Sequence, residues 1–579
     1  PSSGALPERP APALRPSAPP RCRLPRRALR APGMSIAEPL RRGEGGDRPS
    51  FPRAALAIAL RRRPVTNVPA EGQLRKRLTV TDLIFIGIGA SVGSGIFVIS
   101  GIAAVPTGPA VCISFVIAAV SSIFSAFCYA ELAARIPIAG NVYLYAYAAF
   151  GEIFALVFGI NLLVDFHVGA ALGMLSCATY LHTAMAHLGV RLPDPRAVAV
   201  VLAALITGTL CVGVERGLKR ANGFLVAAKT AIVVLIIVVG CFKMHTDNLV
   251  PFVPFGFGPV LSTSTTCCFA YIGFGTIASA AEECVNPQRD LPIAITASLL
   301  VCALLYVGFS LVLCGIVPFR EIDKTAPVAA AFGPQYADLP WVKVLVTWGA
   351  IIGILTTLIT GLYSQARMYL AISRDGLIFS CLRYVSPRFG TPTSAQLACG
   401  VLAAVLAACL PLDQLVRFLN IGVLSSYTVV CAGVLVLRAE KPAPVAVGCI
   451  ALGISSVAAP AIAEWTAGSE SLAGQAWCRI IIYSVLAILV VASWAPLFLQ
   501  KFARPLTFAC PLCPFLPSLG IAVNGYLLSH CHWEAWLRLG GTTALILAGY
   551  AFRVRRLASS DAGSAEDDAR CVASGVSMS

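Results

Sequence analysis

Charge is what this sequence has least of. Asp, Glu, Lys and Arg make up 12% of its 579 residues, where soluble domains carry about 25%. With 57% hydrophobic residues and a mean hydropathy of +0.79, that shortage excludes an ordinary soluble domain and marks an all-α polytopic membrane protein. Histidine is scarce as well: there are six, and they form no ligand cluster, so no imidazole metal site is expected. "CPLC", Cys510–Cys513, has CxxC spacing but no second pair and no thioredoxin-like surroundings, which argues against a metal or redox role. No nucleophile–base or metal constellation stands out in the apolar runs. Neither an enzyme nor a cofactor is expected. Residues 1–77 lack any apolar run long enough for a signal-peptide core or a membrane span.

A net charge of +16 raises nucleic acid as a partner. The placement of the charge excludes it, because basic residues concentrate in residues 1–77 and in short loops between apolar runs. That is how a membrane topology signal is placed. Most of the 21 cysteines sit inside apolar runs such as "TTCCFA" and read as packing. Residues 1–77 read as a disordered, Pro- and Arg-rich cytoplasmic leader, with the first methionine at Met34. An Arg-rich, acid-poor organelle transit peptide is the alternative. Residues 558–579 read as a disordered cytoplasmic tail.

A helix crosses the ~30 Å hydrocarbon layer in about 20 residues. By that measure the chain has about fourteen candidate spans. The first seven are 80–104, 109–131, 142–172, 196–214, 220–242, 259–281 and 291–317. The second seven are 341–370, 394–411, 415–437, 444–463, 478–500, 513–529 and 538–553. With the N-terminus in the cytoplasm, inside loops collect Arg135, Arg216, Lys219, Arg220, Arg289, Arg367, Arg374, Arg383 and Arg388. Arg438, Lys441, Lys501, Arg504, Arg553, Arg555 and Arg556 fall on the same side. Outside loops are poorer in bases and partly offset by acids, as in "FREIDKTAP". The bias predicts an N-in, C-in topology.

Span one carries "IGIGASVGSGIF", Ile86 to Phe97. Each glycine costs a helix interior up to about 1 kcal/mol relative to alanine. Five spans later, span six carries "YIGFGTIASA". Paired interrupted spans at that offset point to a secondary transporter built on a five-plus-five inverted repeat. Close helix packing through Gly89 and Gly93, a GxxxG, is the plainer alternative for the first stretch. A dinucleotide site is excluded, because the spacing is GxGxxxG and lies inside a span. Unwinding at membrane depth frees backbone groups that must line a cavity and find partners. Freed N–H groups at a half-helix start suit a carboxylate, and freed carbonyls suit an ammonium. Both together fit the backbone of an amino acid.

Several segments carry a family resemblance. They are "GSGIFVISG", "SAFCYAELAARIPIAGNVYLYAY", "YIGFGTIASAAEECVNPQRDLPIAI", "SQARMYLAISRDGLIFSCL" and "CPLCPFLPSLGIAVNGYLL". Over about 78–557 the sequence resembles the amino acid–polyamine–organocation transporters, and within them the cationic amino acid transporter family with its bacterial relatives. The "EIDKTAP" loop looks most like plant-type members. The resemblance implies a LeuT-like fold: a ten-helix core at 78–440, and four further spans at 441–557. It implies that the substrate carboxylate meets Gly93, Ser94 and Gly95. The amino group would meet carbonyls near Ser91 and Ile272. Phe269, Tyr271 and Phe274 are candidates for gate or pocket wall, with plain packing as the alternative. Ile354 and Leu355 would lie near the substrate side chain.

Ionisable residues inside spans are functional hypotheses by default. Lys229, in "VAAKTAIVVLII", lies about 15 Å deep by helical rise. A lysine so placed can exchange a proton. In similar transporters its ammonium stands where sodium sits in sodium-coupled relatives, which implies proton coupling. A static lysine held by span-one carbonyls is the alternative. Glu131, in "CYAEL", matches a family glutamate important for transport, and also suits a structural cap. Asp165, near His167, either pairs with a base in the bundle or lines the pathway. Glu282 and Glu283 read as gate or structural charges. Many relatives have "GFD" where this chain has "GFG", so Gly275 removes a carboxylate from the substrate region.

The expected function is therefore secondary active transport of L-amino acids by alternating access, coupled to protons, in a lipid bilayer. Cationic and small neutral substrates stay level. A polyamine or amine carrier and a non-transporting sensor are the alternatives. The expected location is the plasma membrane, with a vacuolar or other internal membrane as the alternative.

Overall fold

The computed structural model describes residues 60–62, 76, 78–138, 140–212, 215–323, 326–331, 340–468 and 476–573. Everything below belongs to the unit Ala55–Ser579. Most of the expected leader, and 574–579 of the expected tail, lie outside the described residues.

Among the described residues the regular elements are helices, with two isolated β-bridges, Leu78 to Cys284 and Ala439 to Phe502. In order come α1 (Val80–Ser91), α2 (Ser100–Thr107), α3 (Val111–Arg135), α4 (Val142–Ala149) and α5 (Glu152–His187). Then follow α6 (Pro195–Val212), α7 (Glu215–Lys243), α8 (Phe257–Cys267), α9 (Gly273–Ser279) and α10 (Pro287–Ile316). The second half holds α11 (Pro327–Ala331), α12 (Pro340–Arg374), α13 (Thr393–Cys409), α14 (Leu412–Phe418) and α15 (Ile421–Arg438). It closes with α16 (Pro442–Gly468), α17 (Ala476–Phe498), α18 (Phe515–Ser529) and α19 (Trp533–Ala573). Helices satisfy every interior backbone group within the segment, which a bilayer requires of a lone span.

Among the described residues, ten stretches are long and apolar enough to cross a membrane, and the first, Val80–Arg135, runs through two of the expected spans. Thr393–Cys409 and Phe515–Ser529 are shorter apolar helices. Outward faces are greasy: Leu397, Val401 and Val405 on α13, and Ile480, Ile488 and Val491 on α17, are all exposed. Continuous apolar surface of this kind is what lipid covers.

α1 starts in a capping box. The Thr79 N–H donates to Asp82 Oδ2 at 2.9 Å, and the Asp82 N–H to Thr79 Oγ1 at 3.4 Å. α1 ends at Ser91, where Val92 turns extended with ψ 93°. After a turn at Val92 and Gly93 the chain winds into a π-helical stretch, Gly95–Ile99, and then α2. π turns of this kind frequent functional sites. Span one is thus broken where its glycines predict.

Span six differs from expectation. Gly273 and Gly275 are helical, and Gly275 N–H donates to the Ile272 carbonyl at 3.0 Å. The irregularity lies earlier, as a 3₁₀ turn at Cys268–Tyr271. It tightens the span rather than unwinding it. The glycine at 273 serves approach: a Cβ there would stand 2.6 Å from the Gly87 carbonyl oxygen. Gly95 does the same from the other side, where a Cβ would stand 2.9 Å from Ala270 Cα. The two interrupted spans therefore cross nearly backbone to backbone.

Backbone helix in α19 continues to Ala573, into the stretch read as disordered. Ala558, Ala562, Ala565 and Ala569 recur through it, and alanine is the strongest helix former.

Candidate substrate site

A cavity of about 70 Å³ lies where α1 stops. Span one contributes Ala90, Ser91 and Ser94 to its wall, and span six contributes Phe269, Ile272, Gly273 and Thr276. α5 adds Phe166, Gly169 and Ala170. α12 adds Thr357, Leu358, Gly361, Ser364 and Gln365, one face of a helix at helical spacing. The described wall carries no ionisable side chain.

Ser94 opens the second half-helix of span one. The first N–H groups of a helix have no acceptor within it, and they sit at its positive dipole end. The break also frees carbonyls, and those of Gly89, Ser91 and Val92 have side-chain donors. Tyr306 Oη donates to the Ser91 carbonyl at 2.7 Å and is within 2.9 Å of the Ala270 carbonyl. One phenol thus bridges both interrupted spans, stacked on Phe115 at 5.4 Å between ring centroids. Thr357 Oγ1 reaches the Gly89 carbonyl at 3.0 Å and the Val92 carbonyl at 3.2 Å. A carbonyl has two lone pairs, so Ser91 keeps one for a ligand.

Lys229 of α7 is fully buried beside this break. Its Nζ donates to the Gly89 carbonyl and to Thr356 Oγ1, both at 2.8 Å. The Gly353 carbonyl and Thr357 Oγ1 stand at 3.5 Å. Each of these partners is a neutral oxygen. The ammonium therefore ties the end of α1 to α12 through hydrogen bonds, with no counter-charge among them.

The structure sorts the expected site residues into two groups. Ser91, Ser94, Phe269 and Ile272 line the cavity. Gly93, Gly95, Phe274, Ile354 and Leu355 do not belong to its wall. Gly93 turns the chain, and its carbonyl accepts from the Phe97 N–H at 3.0 Å. Phe274 stacks on Tyr427 at 5.2 Å instead. Ile354 is buried, and the cavity-facing positions of α12 begin one turn later, at Thr357 and Leu358.

The other charges are braces. Glu131 is buried in a fork from Arg438, with Nε at 2.8 Å and Nη2 at 2.5 Å, and it accepts from the Cys510 N–H at 2.8 Å. That contact gives "CPLC" its place: it closes the buried carboxylate. Asp165 pairs with Arg538 of α19 and accepts from the Val423 N–H at 2.8 Å. It joins α5 to the C-terminal helices rather than lining the cavity. His167 Nε2 meets Tyr369 Oη at 2.9 Å. Glu283 pairs with Arg367, whose guanidinium lies 3.6 Å from the Tyr363 ring centroid. Burying a charge is costly unless it is paired, which these contacts provide.

Comparison with known proteins agrees with this architecture. The family model described as amino acid permease matches residues 78–460. A second model, the C-terminus of such permeases, matches residues 508–556. The chain is 38% identical over 509 residues to "Cationic amino acid transporter 9, chloroplastic" of Arabidopsis thaliana, covering 83% of this chain and 88% of the relative. It is 37% identical over 388 residues to "Branched-chain amino acid permease BcaP" of Bacillus subtilis, covering 64% of this chain and 83% of that one. In fold it is similar to the crystal structure of MhsT in complex with L-phenylalanine. The TM-score is 0.51 at 10% identity, with 73% of this chain and 99% of that one covered. That likeness is one of fold, the LeuT-like arrangement. Integral to a membrane and built as a carrier rather than an enzyme, the chain belongs to the amino acid permease family.

Proposed function

We propose that this permease carries small neutral L-amino acids by alternating access and couples their movement to protons through Lys229. One observation carries the substrate class: the described cavity wall holds no ionisable side chain. A lysine or arginine substrate would bring a second cation into this cavity with no carboxylate to meet it. An unpaired buried charge costs several kcal/mol. Roughly 10–15 Å³ admits one water-sized group, so about 70 Å³ suits a small amino acid.

In this reading the substrate carboxylate meets the start of the second half-helix at Ser94, which lines the cavity, with the N–H groups of Gly93 and Gly95 flanking it in the chain. The ammonium takes the remaining lone pairs near Ser91 and Ile272. The chain crosses the membrane about fourteen times, N-in and C-in. A five-plus-five repeat core at 78–440 carries transport, and the helices of 441–557 brace it through Arg538 and Cys510. The plasma membrane is the proposed location. Relatives are named for chloroplast and vacuole, which keeps an internal membrane as the alternative.

The test is competition in proteoliposomes under an inward proton gradient. Unlabelled alanine and serine should suppress labelled alanine uptake. Arginine, lysine and putrescine at the same concentration should leave it nearly unchanged. Uptake of arginine or putrescine in place of alanine would replace the neutral reading with the cationic or the amine one. Binding of alanine without uptake would make the protein a sensor.

A further inference from the structure

Among the described residues of the cavity wall, Gln365 carries a buried polar atom whose hydrogen bonding is incomplete. It is 1% exposed. Its Nε2 donates to the Phe166 backbone carbonyl at 3.1 Å. Since only the amide nitrogen can donate to a carbonyl, this bond fixes which way the side chain faces. Oε1 is then turned away from Phe166, and it is buried with no hydrogen-bond partner. A buried acceptor left unpaired is destabilising, and such groups in folded proteins call for an explanation.

The surroundings of Gln365 supply one. On α12, Thr357 and Gln365 are eight residues apart, about 12 Å along the axis. Thr357 belongs to the break, where the substrate backbone is proposed to bind. Between the two lies Gly361, and a Cβ built there would meet nothing within 4 Å. Helical side chains lean toward the helix N-terminus, which sets Gln365 on the Gly361 side of its own Cα. The neighbouring hydroxyl is engaged elsewhere, since Ser364 Oγ donates to Ser279 Oγ at 3.0 Å.

We infer that Gln365 Oε1 accepts a hydrogen bond from the side chain of the carried amino acid, selecting neutral substrates that end in a hydroxyl or amide donor. The inference rests on the neutral amino acid reading and sharpens it. The break holds what all amino acids share, and Gln365 reads what distinguishes them. Gly361 provides the room for that side chain.

The test uses near-isosteric pairs on the purified full-length protein: serine against 2-aminobutyrate, and asparagine against leucine. Binding is measured by displacement of labelled alanine. Wild-type protein should favour the donor-bearing member of each pair by about tenfold, the scale of one hydrogen bond. Gln365→Met, which fills the same space without an acceptor, should bring both ratios to within about twofold. Gly361→Val should weaken asparagine and leucine together while retaining the preference for serine over 2-aminobutyrate. Equal affinity of wild-type protein for the members of each pair overturns the inference, and that result needs no variant to fold. So does a preference that survives Gln365→Met. If alanine itself neither binds nor enters vesicles, the transport reading falls and the inference goes with it.

Discussion

Lys229→Ala abolishes proton-driven accumulation of alanine while leaving downhill entry and exchange. In the native protein the ammonium is shared among Gly89, Gly353, Thr356 and Thr357. Gly89 belongs to span one and the other three to α12, so in the proposed cycle protonation fastens the broken span to its neighbour. Removing the proton leaves an amine with fewer donors for the same oxygens, and the fastening loosens. A carrier using one proton per substrate can reach about tenfold accumulation per pH unit, since one unit is worth about 1.4 kcal/mol. The variant should show none of it. Lys229→Met, which keeps the volume of the side chain, should behave alike and guard against a cavity left by alanine. The readouts are the steady-state ratio of labelled alanine across the vesicle membrane and its rate of exchange. Undiminished accumulation in both variants would remove Lys229 from the coupling step.

Ser94→Trp should bring uptake to the level of empty vesicles. Ser94 lines the cavity, and about 70 Å³ cannot hold an indole and a substrate together. Overpacking of this kind costs about 1–3 kcal/mol, so binding should weaken by at least about fivefold. Ser94→Ala, which adds no bulk, should keep measurable uptake and separate steric block from misfolding. Normal uptake by a correctly inserted Ser94→Trp protein would move the substrate elsewhere.

Some of this site is written plainly in the chain. Glycines stand out in a membrane span because they weaken helices, and α1 does stop at Ser91. Lys229 stands out because every neighbour in "VAAKTAIVVLII" is uncharged. Span six was harder to read. Its glycines mark close crossing with span one, and the departure from regular helix comes earlier, at residues with no unusual backbone preference. α12 was expected at the substrate through Ile354 and Leu355, one turn short of its cavity face, and the α5 wall had no signal, because Gly169, Ala170, Thr357 and Ser364 are ordinary small residues of packed membrane helices. Their shared face is visible at helical spacing, but nothing local says what it faces. Tyr306 lay unnoticed in an apolar run, and only the fold brings its hydroxyl to both interrupted spans. Asp165 and Arg538 are 373 residues apart, a distance over which spacing has no voice. Isolated motifs predict local backbone, whereas pairings between distant spans belong to the packed bundle.

The most direct measurement is proton movement that accompanies alanine. Wild-type protein is sealed into vesicles loaded with a pH-sensitive dye, with equal pH on both sides. Adding alanine outside should acidify the lumen, and arginine at the same concentration should not. Alanine entry without any change in lumenal pH would contradict a proton-coupled neutral amino acid permease.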